Sequence, residues 1–366
     1  MHILHLSAVN NWGGGEHHIE NLCQELSISH PEVKNTIYCV KNGAFHKRLK
    51  QKNIPFIVAP LFLKVDPRYF LKLGRFCKKH SVDLIHIHDP SAILLAILAD
   101  KFYNLPPFIF SKKTSFPIKQ RKKTLYKYNY HKIEKILCVS KETQRVASAG
   151  IEDRNKLITI YHGTNLETKS SKTPFLLREK YRIPDNMTIV GNIANHIRAK
   201  HLDTLVDVAN TIVYKSQRKD VVFIQIGNFT DRTEALKERV QKLKLEKNVL
   251  FLGYLPNASN FLPQFDISLI TSQSEGIPQV IYESFYHKIP VISTNVGGIP
   301  EIVDHNVNGL LAPMHDFQKL SEHILNLSGD SEKQERFTKL GYEKLIQKFT
   351  TKNMAAQTFQ IYKQLL

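Results

Sequence analysis

Short apolar runs alternate along this chain with segments of helical period, and the alternation stops once and starts again. Strands are expected at residues 3–6, 36–40, 56–58, 84–87, 108–110, 135–139 and 157–160, with helical segments between most of them. Strand, crossover helix and strand in succession build a parallel sheet, because a tight turn cannot join parallel neighbours. Residues 163–187 break the pattern: they are polar, contain Pro174 and Pro184, and read as a linker holding a short helix. Strands then resume at 188–190, 221–226, 249–252, 267–270, 291–293 and 309–311, with helices over 201–215, 231–244, 279–287 and much of 316–366. A chain of 366 residues can give each half a full core without disulfides or a structural metal. The expected fold class is α/β, two doubly wound domains whose ligands sit at the carboxyl ends of the strands, in the crevice between the domains.

Charge is the unusual part of the composition. Lys and Arg number 51 against 33 Asp and Glu, a formal charge of +18, and residues 1–170 carry 27 of those bases with 13 acids. Two segments concentrate the excess. Residues 67–80 hold five bases and no acid, with Phe70, Leu73 and Phe76 at helical spacing beside Arg68, Lys72, Arg75, Lys78 and Lys79. That is the pattern of a helix lying on an anionic membrane, and equally of a surface helix packed on its own domain. Residues 112–135 hold nine bases, opposed only by Glu134 and interleaved with Phe116, Tyr126, Tyr128 and Tyr130, which could also suit nucleic acid.

Cys23, Cys39, Cys77 and Cys138 are scattered with no C-x-x-C pair, so neither a disulfide framework nor a zinc site is expected, and a reducing cytoplasm fits. The amino-terminal residues lack the basic and long apolar regions of a secretory signal. The longest uninterrupted apolar stretch, residues 92–99, falls far short of the roughly 20 residues needed to span a bilayer. A cytoplasmic protein is expected, with peripheral attachment to the membrane's cytoplasmic face as a further possibility.

Four places offer chemistry. Gly13, Gly14 and Gly15 precede a helical segment, where glycines allow close approach and a helix N-terminus presents free N–H groups to phosphate; a permissive turn would look the same. His86 and His88 lie two apart on a strand and so share a face; with no third ligand indicated, packed or cleft-lining histidines are favoured over a metal site. Arg198 and Lys200 stand in the loop after the first strand of the second half, where cations could clamp a diphosphate or simply be surface charges. Glu275 and Glu283 bracket an Ile277-Pro278 helix start, where carboxylates could accept sugar or ribose hydroxyls, or cap and decorate a helix.

The E-G-x-P-x-x-x-x-E block from Glu275 to Glu283 resembles the retaining glycosyltransferases of family 4, also called group 1, which have the GT-B fold of two Rossmann-like domains facing a cleft. The resemblance extends over essentially the whole chain. It implies an acceptor-binding domain over 1–165, a domain over 166–345 binding a nucleotide-sugar, and a terminal helix over 346–366 crossing back to the first. It implies that Glu275 approaches the transferred sugar, that Gly276, Ile277 and Pro278 give backbone contacts, and that Glu283 holds the ribose. Gly14 and Gly15 would lie at the diphosphate, Lys200 and Arg198 would stabilise it, and Gly297-Gly298 with Ile299, Pro300 and Glu301 would form the following turn. Cys138-Val139-Ser140 looks like the segment closing the first domain. The sequence departs from the family at two places: Lys200 is followed by His201 where relatives have glycine, and Lys112 and Lys113 stand where many have a donor-contacting histidine. Lys112, Lys113 and His88 are therefore the candidate acceptor or donor contacts.

The function this implies is hexosyl-type transfer with retained configuration, from a UDP-sugar or GDP-sugar to a glycan or lipid-linked glycan, in cell-envelope polysaccharide synthesis. The resemblance implies that no metal or other cofactor is required; the departing diphosphate would serve as base, so that no enzyme nucleophile is needed. An anionic membrane surface is a further candidate partner, and nucleic acid is disfavoured. Two other readings stand beside this one: a sugar-nucleotide epimerase of the same fold, and a non-catalytic basic protein binding membrane or nucleic acid.

Overall fold

The computed structural model describes residues 1–366 except Thr168. The chain divides into two compact units, one of Met1–Asn165 with Phe349–Leu366 and one of Leu166–Lys348.

The first unit runs β1 (His2–Leu6), α1 (Gly14–Ser29), β2 (Lys34–Val40), α2 (Ala44–Leu49), β3 (Phe56–Ala59), α3 (Pro67–Lys79), β4 (Leu84–Ile87), α4 (Pro90–Tyr103), β5 (Phe108–Lys112), α5 (Lys122–Tyr128), β6 (Ile133–Cys138), α6 (Lys141–Ser148) and β7 (Leu157–Thr159). Its seven strands are all parallel, in the order β3-β2-β1-β4-β5-β6-β7. The second unit runs α7 (Leu177–Tyr181), β8 (Thr188–Ile193), α8 (Leu202–Asn210), β9 (Val221–Ile226), α9 (Thr233–Lys242), β10 (Val249–Phe251), β11 (Ile267–Ile270), α10 (Gln279–Tyr286), β12 (Val291–Thr294), α11 (Ile299–Ile302), β13 (Leu310–Ala312), α12 (Phe317–Ser328) and α13 (Ser331–Lys348). Its six strands are parallel in the order β10-β9-β8-β11-β12-β13. The last helix, α14 (Thr351–Leu365), starts where Thr350 accepts the Asn353 N–H through its hydroxyl, and it packs on α1 in the first unit.

Every strand read from the alternation is present. Successive strand residues point to opposite faces, and both faces of each sheet are covered. In the first unit Leu4, Leu6, Ile85 and Ile87 face one core with α3 and α4, while Ile3, Leu84, Ile109 and Leu137 face another with α1 and α14. The second unit repeats this, with Val190, Phe223, Leu269 and Ile292 on one side and Ile189, Val222 and Ile224 on the other. Each such large apolar side chain contributes about 1.5–3 kcal/mol when fully buried. The four cysteines are buried and unpaired. Among the described residues no helix is long and apolar enough to cross a membrane.

The two basic segments resolve differently from their appearance in sequence. The apolar stripe of α3 is spent on its own unit, with Phe70, Leu73 and Phe76 at 8%, 0% and 9% exposure, so only the basic face of the helix meets solvent. The membrane-lying helix therefore gives way to the packed one. In the second segment Tyr130 is buried with its hydroxyl donating to Asp100, and Tyr128 packs on Phe110, so its aromatics do not form a common stacking platform.

Candidate functional site

In each sheet the chain winds outward in both directions from one adjacent pair of strands, and the loops leaving their carboxyl ends diverge to leave a recess. In the second unit that pair is β8 and β11. The loop after β8 carries Arg198 and Lys200, and the loop after β11 carries residues 272–278. Backbone and side chain stitch them together: Gln273 N–H donates to Ala199 O at 2.9 Å, Gln273 Nε2 to Arg198 O at 3.0 Å, and Thr271 Oγ1 to Lys200 O at 3.0 Å. The result is a salt bridge between two of the three residues expected to serve catalysis, Lys200 and Glu275. Lys200 Nζ stands 2.5 Å from Glu275 Oε1, which also accepts from Ser272 Oγ at 2.6 Å. Their side chains are 23% and 11% exposed, so the pair is largely dehydrated yet reachable.

Arg198 is not part of this pair. It is exposed and lines a cavity of about 470 Å³ with His196, His201, Arg232 and Gln273. Arg232, at the start of α9, had no signal in the sequence. His196 is fully bonded, to Gln225 Oε1 at 2.6 Å and Thr233 Oγ1 at 3.0 Å, and burial holds its pKa below the usual histidine range. His201 explains the departure from the Lys-Gly pattern: its φ is +45°, the left-handed region that favours glycine, and its Nδ1 is anchored on Thr204 Oγ1 at 2.8 Å. A backbone position that favours glycine is thus held here by a histidine.

Glu275 is held from behind as well. Gly298 N–H donates to Gly276 O at 2.7 Å, and Gly297 has φ +57° with its missing Cβ 1.9 Å from Glu275 O. A side chain at 297 would force Glu275 to move. Gly297→Ala is expected to destabilise the protein by at least about 2 kcal/mol in urea unfolding; a change of less than about 0.5 kcal/mol, the range of neutral surface substitutions, would show that this turn does not hold the loop. Beyond Pro278, helix α10 begins at Gln279 and carries Glu283. Glu283 accepts from Lys169 Nζ at 2.7 Å, with both side chains mostly buried, at 15% and 8%. Lys169 lies in the segment read as a linker, where nothing in the sequence marked it. His287 lies close enough to feel both charges; burial and then Lys169 lower its pKa.

In the first unit the diverging strands are β1 and β4. Gly14 opens α1, and Gly13 gives the helix no side-chain cap. A Cβ on Gly14 would meet nothing within 4 Å, whereas one on Gly15 would meet Lys113 Nζ at 3.8 Å. Lys113 donates to Gly15 O at 2.8 Å and sits among Glu16 and Asp89. Burial lowers the Lys113 ammonium to about 8, opposed by those two carboxylates, and burial raises both Glu16 and Asp89. Lys112, one residue earlier, points elsewhere and folds onto its own loop, donating to Thr114 O at 2.6 Å and Phe116 O at 2.8 Å. Of the two lysines, Lys113 alone joins the polar recess. Cys138 ends β6, and Ser140 caps α6 by accepting from Thr143 N–H at 3.0 Å.

His86 and His88 have a third neighbour that their spacing could not reveal. His5 is paired with His86 in the β1–β4 register, and ligand-capable nitrogens of all three lie within 4.8 Å of one another. Their bonding is specific. The Asn35 amide donates to Val33 O, so its Oδ1 accepts from His5 Nε2 at 3.0 Å. His5 Nδ1 must then accept from His88 Nε2 at 3.1 Å, which leaves His88 Nδ1 a buried lone pair without a hydrogen bond. His86 bridges the Tyr362 hydroxyl at 2.6 Å and Ser111 Oγ at 2.8 Å. A cation would have to displace these bonds, so the cluster is a packed hydrogen-bonded network of neutral rings. His18, on α1, adds a second buried Nδ1 without a hydrogen bond, its ring 5.9 Å from that of His88.

The candidate residues thus form two separate groups: Lys200 with Glu275, backed by residues 276–278, Glu283 and Arg198, in one unit, and Gly14, Gly15, Lys113 and His88 in the other. Comparison with known proteins matches both units. Residues 12–168 fit the family model for Glycosyltransferase Family 4, and residues 175–344 fit that for Glycosyl transferases group 1. The chain is 21% identical to the N-acetyl-alpha-D-glucosaminyl L-malate synthase of Bacillus anthracis, over 80% of this chain and 77% of that one. It is 21% identical to a UDP-Gal:alpha-D-GlcNAc-diphosphoundecaprenol alpha-1,3-galactosyltransferase of Escherichia coli, over 76% and 74%. Among solved structures, HepE of Anabaena in complex with UDP and glucose superposes with a TM-score of 0.86 at 20% identity, each chain covered completely. That likeness is one of fold, and the fold is GT-B.

Proposed function

Because the chain belongs to the group 1 glycosyltransferases of family 4, and so is a transferase, we propose that it moves a sugar from a nucleoside-diphosphate sugar, UDP- or GDP-linked, to a glycan or lipid-linked glycan of the cell envelope, with retention of configuration. The observation that carries this is the Lys200–Glu275 pair where β8 and β11 diverge. A diphosphate leaving group gathers negative charge as the glycosidic bond breaks, and a fixed ammonium stabilises that charge more in the transition state than in the ground state. A carboxylate beside it steadies the positive charge developing at the anomeric carbon. Lys200 and Glu275 hold each other oriented until a donor arrives, and the Ser272 hydroxyl keeps the carboxylate aimed once Lys200 turns to phosphate.

In this reading an acceptor hydroxyl attacks from the face that the diphosphate leaves, the diphosphate oxygen takes the proton, and no enzyme nucleophile is needed. Glu283, with Lys169, would receive the ribose hydroxyls, and Arg198 with Arg232 would add charge at the neighbouring cavity. The polar recess of the first unit, with Lys113, His88 and His18, would receive the acceptor. The Escherichia coli relative's acceptor, an N-acetylglucosamine on diphosphoundecaprenol, supports the lipid-linked class, and the UDP and glucose bound by HepE support a UDP-sugar.

The test is a thermal-shift panel of UDP, GDP, ADP and their common sugar conjugates. A ligand at about 100 times its Kd adds roughly 2.7 kcal/mol, a rise of about 5–10 °C in a unit of this size. A selective shift by UDP or GDP and its sugar supports the reading, and a shift by ADP alone, or by none, overturns the donor assignment.

A further inference from the structure

We infer that residues 61–65, between β3 and α3, together with the basic face of α3, form a docking surface for an anionic lipid bilayer. The loop presents large apolar side chains to water: Phe62 is 81% exposed, Leu63 69% and Val65 40%. It is built to do so. Asp66, itself 2% exposed, accepts the Phe62 N–H at 3.1 Å and the Arg68 N–H at 3.1 Å, closing the loop and capping the helix together. The Arg68 guanidinium neutralises that carboxylate, at 3.0 and 2.8 Å, and lies 5.0 Å from the Phe62 ring centroid. The one acid of the region is thereby cancelled, and the apolar tip is fixed outward.

Behind the tip, Arg68, Lys72, Arg75 and Lys79 recur at intervals of four, three and four along α3, which places them in one stripe, and all four are exposed. Lys64, in the loop, lies close enough to Lys127 of α5 for the two ammonium groups to repel, so the second basic segment of the sequence reaches this tip. An apolar wedge rimmed by cations matches the layering of an anionic membrane, headgroup phosphate outside and acyl chain within. The stripe that suggested a membrane helix in the sequence is buried; the membrane-facing apolar residues are instead those of the loop before it.

The test is co-sedimentation of the full chain with vesicles of phosphatidylethanolamine and phosphatidylglycerol, against vesicles of phosphatidylcholine alone, at low and high salt. The wild type is expected to pellet with the anionic vesicles, less at high salt, and not with the neutral ones. Phe62→Ser with Leu63→Ser is expected to lower partitioning at least about tenfold. Arg75→Gln with Lys79→Gln should lower it about fivefold for each charge removed. Neither pair touches the candidate site, so the nucleotide-induced thermal shift of both variants should equal that of the wild type, which separates this inference from the donor reading. Equal binding to neutral vesicles, or unchanged binding by either double variant, overturns it. So does a wild type that ignores vesicles and elutes as a dimer split by Phe62→Ser with Leu63→Ser, which would assign the tip to a second copy.

Discussion

Glu275→Ala and Lys200→Ala each lower sugar transfer by about a hundredfold to a thousandfold, the cost of removing one preorganised charge from a site where charge develops. Their signatures differ. Without Lys200 the diphosphate loses its ammonium, so the thermal shift by free nucleotide shrinks along with turnover. Without Glu275 the ammonium remains, so the nucleotide shift survives while transfer fails. Neither substitution unfolds the chain: Lys200, 23% exposed, can turn to water, and Glu275 keeps the Ser272 hydroxyl. Glu275→Gln separates charge from shape, since the amide oxygen can still accept from Ser272 while the negative charge is gone. Transfer by both alanine variants at the wild-type rate, measured with the donor that the thermal-shift panel selects, would remove the pair from the catalytic assignment.

The second large effect concerns pH. His5, His18, His86 and His88 are buried among one another and near Lys113, and burial, reinforced by those neighbouring positive charges, lowers all four; His5 falls to about 4 and the others lie well below the ordinary 6.5. In the unfolded chain each takes up a proton near 6.5. Below that pH the unfolded state binds more protons than the folded one, so the stability contributed by the neutral rings is complete above 6.5 and is lost as pH falls toward 4. At pH 5 the loss is roughly 2 kcal/mol for each ring that stays neutral in the fold. Several rings together approach the about 5–15 kcal/mol by which domains are stable. Calorimetry from pH 7 to pH 5 should find the melting transition of the first unit falling by more than about 10 °C. A transition that holds its position over that range would mean that the cluster is hydrated or already charged.

The sheets were legible in the sequence because strand and helix periods leave a direct mark on it, and a parallel sheet needs only that marks alternate. The chemistry was legible residue by residue and not as contacts. Lys200 and Glu275 were each singled out, but they are 75 positions apart, and their meeting depends on β8 lying beside β11, an order that no local pattern encodes. His5 was missed for the same reason: it reaches His86 through the register of β1 on β4. Lys169 and Arg232 sit in irregular segments where a single charge carries no periodic signal. His201 is the instructive departure. Glycine marks a left-handed turn in a sequence, and a histidine in the same conformation hides it.

The first unit is assembled from both ends of the sequence described here, and its late piece is no ornament: Tyr362 of α14 supplies the hydroxyl on His86, and Met354, Ala355 and Phe359 cover Ile3, Leu22 and Leu26. A ribosome makes residues 1–165 first and residues 351–365 only after the whole of the second unit. At about 5–20 residues per second the wait is roughly 10 to 40 s, during which that face of the nascent sheet has α1 over it and lacks the cover of α14. Residues 166–348, contiguous in the chain, have no such delay. The order of synthesis and the order of completion are therefore reversed, with the unit translated second able to finish first, and the nascent first half is the stretch most in need of a chaperone.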